Sequence, residues 1–483
     1  MKKQSLIKLA GLALAATLVF AGCGSNGDGA VLGGGGNGVG ATGGGGTTAA
    51  TTGFGITGGS QTGGFGGTGG GSAGSAFTGS GSSSAGNTGT TGGNGGFLGP
   101  VAPTDVRTGL NNPTAFTSIT IGGNLRTVIL DGFNLGINQG RLLVIDQTGN
   151  IDPQNGGFPL IPVTAANTSP LGAELTSPFD MIQDLDGRLY ISVGFDVANE
   201  GKIIRVDGFQ QSGNTITANF TDITAARTPP PLNPAFMTFV GNINGNDYIY
   251  YSQYSTGPAG LVSRVAVDGS ENTDIVNNIT FPAGIDHDGT RLAICDQITG
   301  GLGQVLLAPL VANPPAVVDA GSLTVVAPAQ GEQAITRPFD VDYDGNNGFF
   351  FTEGASIDPP GFVGPTPTGQ GNGTVRFISD GTSIAQLVSN GLTNCGVVDA
   401  ADPDNDGTAS VLFSESAQAN SGGRISRRQV ATNNVTLTPP SVVDTGVNNA
   451  LFVAIGDEDA PVLGAAINYF GAQANGIFRV YAP

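Results

Sequence analysis

Beyond residue 100 the chain repeats one arrangement of apolar and polar positions seven times. An apolar run opens at or near a proline, breaks at a turn of Gly, Asp or Asn, and returns as a second apolar run. A third run follows, beginning Gly-x-aliphatic. The fullest copy runs from Pro178 to Val206: PFDMIQDLDGRLYIS, then GKIIRV. Other copies open near Pro113 (AFTSITI, LRTVILDG, GRLLVID), at Pro234 (AFMTFV, DYIYYSQ, GLVSRVAV) and at Pro282 (AGIDHDGTRLAICDQ, GQVLLA). The last three open at Pro338 (FDVDYDGNNGFFFTEG, GTVRFIS), near Leu392 (TNCGVVDAADPDNDGTASVLFSES, GRISRR) and near Ala450 (LFVAIGDEDAPVLGAAINYFG, GIFRVYAP).

Short apolar runs bounded by such turns predict strands. The second run of each copy (LYIS, YIYY, LAIC, FFF, VLF) is apolar almost throughout, which predicts strands covered on both faces. No stretch past residue 23 keeps a helical period. A unit that cannot bury its own faces must stack on its neighbours. Four short antiparallel strands per unit, arranged radially, make a β-propeller. The expectation for 100–483 is an all-β propeller of seven four-stranded blades, with six as the alternative count. The last copy ends at its third strand, since the chain stops at Pro483. Thr104 to Leu110 (TDVRTGL) belongs to no copy. It is expected to supply the missing fourth strand, closing the ring and removing an open edge.

The first hundred residues follow other rules. Residues 1–22 carry Lys2, Lys3 and Lys8, then a short apolar core from Leu9 to Phe20, then Ala21-Gly22 before Cys23. That order is a secretory signal, too short for a stable membrane span. Its end resembles the lipobox of bacterial lipoproteins, with Phe20 where Leu is more usual. The resemblance implies cleavage before Cys23 and a lipid on its sulfur; an ordinary signal peptide with a chance Cys is the alternative. Gly24, in place of an inner-membrane retention Asp, implies the outer membrane where there is one. Residues 23–99 are mostly Gly, Ser, Thr, Ala and Asn, with Asp28 the only charge. Such a segment cannot bury enough apolar surface to offset its ordering entropy. It is expected to be a disordered tether spanning roughly 45–50 Å. A self-associating adhesive segment, through TGFG and GGFGG, is the alternative.

Composition narrows the partners. The chain has 37 acidic and 18 basic side chains, one His, three Cys and no Trp. Loss of the leader takes three lysines and no acid. The acidic balance leaves nothing to neutralise phosphates, which excludes nucleic acid.

Three constellations could carry chemistry. The D-x-D-G turns (Asp184/Asp186, Asp286/Asp288, Asp342/Asp344) suit positive-φ hairpins and read as structural. The sixth copy instead reads D-x-D-x-D-G. Asp402, Asp404 and Asp406 alternate along a tight loop, with Thr408 and Ser410 following. Such a loop can converge on calcium. Phe413 stands where an EF-hand would place its bidentate Glu, and a solvated acidic hairpin is the alternative. The third is a ring. Asp180 and Asp340 follow their prolines, while Asp131, Asp296, Glu353 and Glu415 end second strands. If the copies align, these six carboxylates surround the channel mouth on one face, as a ligand or metal site or as caps on loop amides. Val193, Gln253 and Asn468 interrupt the column. His287 reads as a solvated turn residue, and Cys295 and Cys395 as buried free thiols on non-adjacent blades.

Proline, strand, D-x-D-G turn, apolar strand ending in Asp or Glu, then G-x-I-x-R-V resembles the NHL and gluconolactonase (regucalcin-like) propellers. The resemblance covers about 100–483. It implies the fold, usually with six blades, and a divalent metal held by acids such as those of the ring. The reading that follows is a lipid-anchored, outer-membrane propeller that is monomeric and binds or scaffolds through one face of the disc. Its ligand would be a protein, a glycan or a small molecule. A metal-dependent lactonase-like hydrolase and an adhesive envelope protein are the alternatives. The lone His and the lack of any nucleophile motif lean against an enzyme, although lactonase chemistry needs only a metal and a carboxylate base.

Overall fold

In the computed structural model each copy of the repeat becomes one antiparallel sheet. The structure describes residues from Thr104 to Tyr481, apart from short connections and the longer segments 133–139, 147–157, 160–174, 311–316, 328–334, 355–372, 416–423, 455–462 and 469–475. The leader, Cys23 and the Gly-rich segment lie outside the described residues.

Among the described residues there are seven sheets. Blade 1 is Pro113–Ile121, Asn124–Asp131, Arg141–Asp146 and Phe158–Pro159. Blade 2 is Met181–Gln183, Leu189–Val193, Lys202–Ser212 and Thr215–Asp222. Blade 3 is Pro234–Ile243, Asn246–Gln253, Gly260–Ala266 and Asn272–Ile279. Blade 4 is Pro282–His287, Arg291–Ile298, Leu302–Pro309 and Thr324–Ala327. Blade 5 is Val341–Tyr343, Gly348–Glu353, Gly373–Ser379 and Ala385–Leu392. Blade 6 is Cys395–Ala401, Thr408–Glu415, Arg424–Ala431 and Ser441–Thr445. Blade 7 takes Asn449–Ala454, Leu463–Asn468 and Gly476–Tyr481 from the end of the chain.

The fourth strand of blade 7 is Thr104–Leu110, paired antiparallel to the last strand with Thr104 opposite Val480 and Leu110 opposite Gly476. The innermost strands neighbour one another in sequence order, and that of blade 7 returns to that of blade 1. The protein is therefore a seven-bladed β-propeller closed by its N-terminal strand. One sheet departs from four strands. Val318–Asp319, from the last connection of blade 4, pairs parallel to the outer strand of blade 3. The only helix among the described residues is the 3-10 turn Ala320–Ser322 in the same connection.

The second strands are buried along their length in blades 2 and 5, as their unbroken apolar runs require. Between blades 5 and 6, Phe350, Val375, Phe377, Val398, Val411 and Phe413 make one apolar layer.

The structure gives proline and glycine a shared role at four of the junctions. There, a glycine at or next to the start of a third strand lies against the proline that opens the next blade, whereas Gly373 of blade 5 lies against Leu392 and Cys395. A Cβ on Gly260 would sit 2.4 Å from Pro282 Cδ, and one on Gly303 would sit 1.9 Å from Pro338 Cδ. Gly140 meets Pro178, and Gly201 meets Pro234, in the same way. The two recurring residues are the halves of one contact between successive blades.

Candidate functional site

The carboxylates that open the first strands lie between blades. Asp180 accepts from the amide of Met181 at 2.8 Å, and its other oxygen accepts from Met237 of blade 3 at 2.8 Å. Asp340 repeats the arrangement, taking Val341 at 3.0 Å and Val398 of blade 6 at 3.0 Å. Two turn residues do similar work further along the strand. Asp286 accepts from Thr238 of blade 3 at 3.0 Å and from the amide of Tyr343 of blade 5 at 2.8 Å. Asp342 accepts from the amide of Ala400 of blade 6 at 2.8 Å. All four are at most 5% exposed, so each is a buried charge held by amide and hydroxyl donors.

A second column supports these staples. Ser192 donates to the carbonyl of Ala235, Ser252 to that of Phe236, and Thr352 to that of Gly396; Ser414 accepts from Val397. Each hydroxyl sits one residue before the end position of its second strand. Cys295 occupies the equivalent place in blade 4, one residue before Asp296 and opposite Val305, and is fully buried. Burial, with Asp340 and Asp296 nearby, pushes its thiol far above the usual range. Cys395, on blade 6, is also a buried free thiol, pushed up by burial and by Glu415, Glu353 and Asp340.

The acids ending second strands are occupied by their own blades. Asp131 lies opposite Arg141 and accepts from its Nε at 2.8 Å. Glu415 lies opposite Arg424 and is bonded to it. Glu353 accepts from Thr374 and, at 3.0 Å, from Arg376. Asp296 accepts from the amides of Thr280 and Phe281 and from Gln304 at 2.9 Å. Burial nevertheless holds the Asp296 carboxyl above its ordinary range. The six acids are thus distributed between inter-blade staples and within-blade pairs. Among the described residues no three His, Cys, Asp or Glu side chains gather as a cation site requires.

An aromatic layer accompanies the staples, and the sequence reading missed it. Phe179 stacks on Phe195 at 4.7 Å between centroids and meets Phe236 edge-on at 5.2 Å; Phe236 meets Phe339 edge-on at 5.3 Å. Phe179, Phe236 and Phe339 open blades 2, 3 and 5, and Phe195 follows the second strand of blade 2, so rings from non-adjacent blades touch. Tyr254 continues the row between Phe195 and Phe281. The signal was in the sequence as aromatic residues one or two places after the prolines.

On the opposite face, the turns are capped by their own acids. Asp184 accepts from the amides of Asp186 and Arg188, Asp288 from those of Thr290 and Arg291, and Asp344 from those of Asn346, Asn347 and Gly348. Gly187, Gly289, Gly345 and Gly407 all have positive φ, between 78° and 90°. The D-x-D-G motif therefore hides a register difference. Its first Asp caps the turn in blade 2, whereas in blades 4 and 5 the second Asp caps and the first is a staple.

In the 402–410 loop, Asp404 lies outside the described residues. Asp402 accepts from the amides of Asp406 and Gly407 and, at 2.8 Å, from Asn347 of blade 5. Asp406 accepts from the amide of Thr408. Ser410 Oγ accepts from Arg427 at 2.9 Å, and a guanidinium there opposes a cation. The described part of the loop is a capped turn joined to blade 5. His287 also departs from expectation. Its ring is half-buried and bonded to protein at both nitrogens.

No protein-family model and no curated protein sequence matches the chain. Solved structures resemble it distantly. An ulvan lyase of polysaccharide lyase family PL25 is 13% identical with a TM-score of 0.45, covering 80% of this chain and 96% of its own. The Dos1 propeller is 9% identical with a TM-score of 0.44, covering 80% and 95%. A Bacteroides uniformis protein described as a 6-phosphogluconolactonase is 12% identical with a TM-score of 0.41, covering 72% and 95%. No function passes from these matches to this chain, since fold does not fix function.

Proposed function

We propose that the chain is a lipid-anchored propeller, tethered through Cys23 and the Gly-rich segment to the outer face of the cell envelope, that binds or scaffolds a partner through one face of its disc. The observation that carries this reading is how the mouth acids are used. Asp180 and Asp340 bond the next blade, and Asp131, Glu353 and Glu415 bond arginines of their own blades. A metal-dependent lactonase would need several such oxygens open to its cation, and Glu353 keeps one buried oxygen, Oε2, outside these bonds. Held in this way, they make a rigid platform on which connecting segments can present a binding surface. The partner is a protein, a glycan or a small molecule.

The test uses the full chain. It is assayed on a panel of lactones with calcium, manganese or zinc, and in parallel for saturable binding to fractionated cell-surface protein and glycan. Binding without turnover supports the platform. Metal-dependent turnover abolished by Asp340→Asn/Glu353→Gln would replace it with the hydrolase.

A further inference from the structure

His287 is the single histidine of the chain, and both ring nitrogens are committed. Nε2 lies 2.7 Å from the carbonyl oxygen of Phe239, in the first strand of blade 3. A carbonyl only accepts, so Nε2 carries a proton. Nδ1 lies 3.0 Å from the amide of Gly289 and accepts from it. The contacts therefore select the neutral Nε2–H tautomer, held across the seam between blades 3 and 4.

The charged and titratable groups on the surrounding elements have partners of their own. Asp286 is taken by Thr238 and Tyr343. Asp288 is taken by Thr290 and Arg291, and Asp247, on blade 3, by the amide of Asn242. Asp380 of blade 5 holds Arg291 and the Tyr343 hydroxyl. The ring is only half-buried, so solvent protons reach it.

We propose that His287 is a proton-operated latch between blades 3 and 4. Neutral, it ties the D-H-D-G turn to the Phe239 carbonyl. Protonation turns Nδ1 from an acceptor into a donor facing the Gly289 N–H. The Gly289 bond that orients the ring is then lost and the two facing N–H groups repel, so the turn shifts and draws the ring away from the Phe239 carbonyl across the seam. The stabilisation is present while the imidazole is neutral and is lost as pH falls through its titration. A protein displayed outside the cytoplasmic membrane, as proposed above, meets external pH directly, but the latch does not depend on that location.

The single histidine makes the test clean. The full chain, labelled with ¹⁵N-histidine, is titrated from pH 7.5 to 5 while hydrogen exchange is followed over 284–292. The latch predicts the Nε2–H pattern at pH 7.5 and a fall in protection around Gly289, after correction for the slower intrinsic exchange in acid, as the ring takes its second proton. An Nδ1–H tautomer at pH 7.5, or a titrating ring with unchanged protection, overturns it. In His287→Gln, the fall in Tm between pH 7.5 and 5.5 should shrink by roughly 2 °C or more relative to wild type; an equal fall overturns the latch. If that variant does not fold, the labelled wild type still decides.

Discussion

Replacing Gly303 with alanine tests the contact that joins one repeat to the next. The new Cβ would stand 1.9 Å from Pro338 Cδ, 2.8 Å from its Cγ and 3.2 Å from the Asp296 carbonyl oxygen. Carbon atoms in contact prefer about 3.5–4.0 Å, so the proline ring or the third strand of blade 4 must retreat by roughly 1.6–2.1 Å. Neither is free to do so. The ring is rigid, Phe339 beside it packs on Phe236, and Asp340 is bonded to blade 6. Overpacking a core commonly costs about 1–3 kcal/mol, and this site belongs at the top of that range. A loss of ~3 kcal/mol corresponds to a Tm fall of about 4 °C in a domain of this length. Thermal melting of wild type, Gly303→Ala, Pro338→Ala and the double variant completes a cycle. Adding Pro338→Ala to Gly303→Ala should recover most of the loss, because it removes the ring atoms that clash. A Gly303→Ala penalty that is absent, or that ignores the residue at 338, would refute the proline–glycine lock.

Other outcomes follow from the same geometry. Asp286→Ala should lower stability by about 2 kcal/mol, since it leaves the buried amide of Tyr343 and hydroxyl of Thr238 without their acceptor; urea melts check it. Burial raises the Asp288 carboxyl, but the bonds from Thr290 and Arg291 outweigh burial and hold it below the ordinary range. A depressed folded-state value means stabilisation that is present above about pH 4 and lost as pH falls through the folded value. The Tm gap between wild type and Asp288→Asn should therefore be largest near neutrality and close in acid. Cys23→Ser should move the protein from the membrane fraction to the soluble one without changing its Tm, as fractionation and melting together will show.

The fold was legible because a propeller writes its unit into the sequence seven times. The turn residues, the apolar second strands and the unassigned TDVRTGL segment fell where the structure has them. The fifth strand of blade 3 was not legible. Val318–Asp319 pairs with a blade other than its own, and no local pattern announces a non-local bridge. The site was harder for a related reason. Asp180, Asp286, Asp340 and Asp342 carry no mark that distinguishes a staple from a ligand. What decides is which amide of the next blade each one meets, and that depends on the register between sheets. Arg141, Arg376 and Arg424 show the same limit. Each is nine to twenty-three residues from its acid in sequence and adjacent to it only across a hairpin. His287 looked like a surface turn because its partner, the Phe239 carbonyl, lies 48 residues away.

The proposal that the six ring acids hold the blades together is tested most directly by melting the full chain in excess chelator and again in calcium. Wild type is compared with Asp340→Asn/Glu353→Gln and with Asp404→Ala. Staples act without metal, so the double variant should melt several degrees below wild type in chelator, and calcium should not restore it. A double variant that matches wild type in chelator, and differs only by losing a calcium-induced rise, would contradict the account and make the ring a cation site.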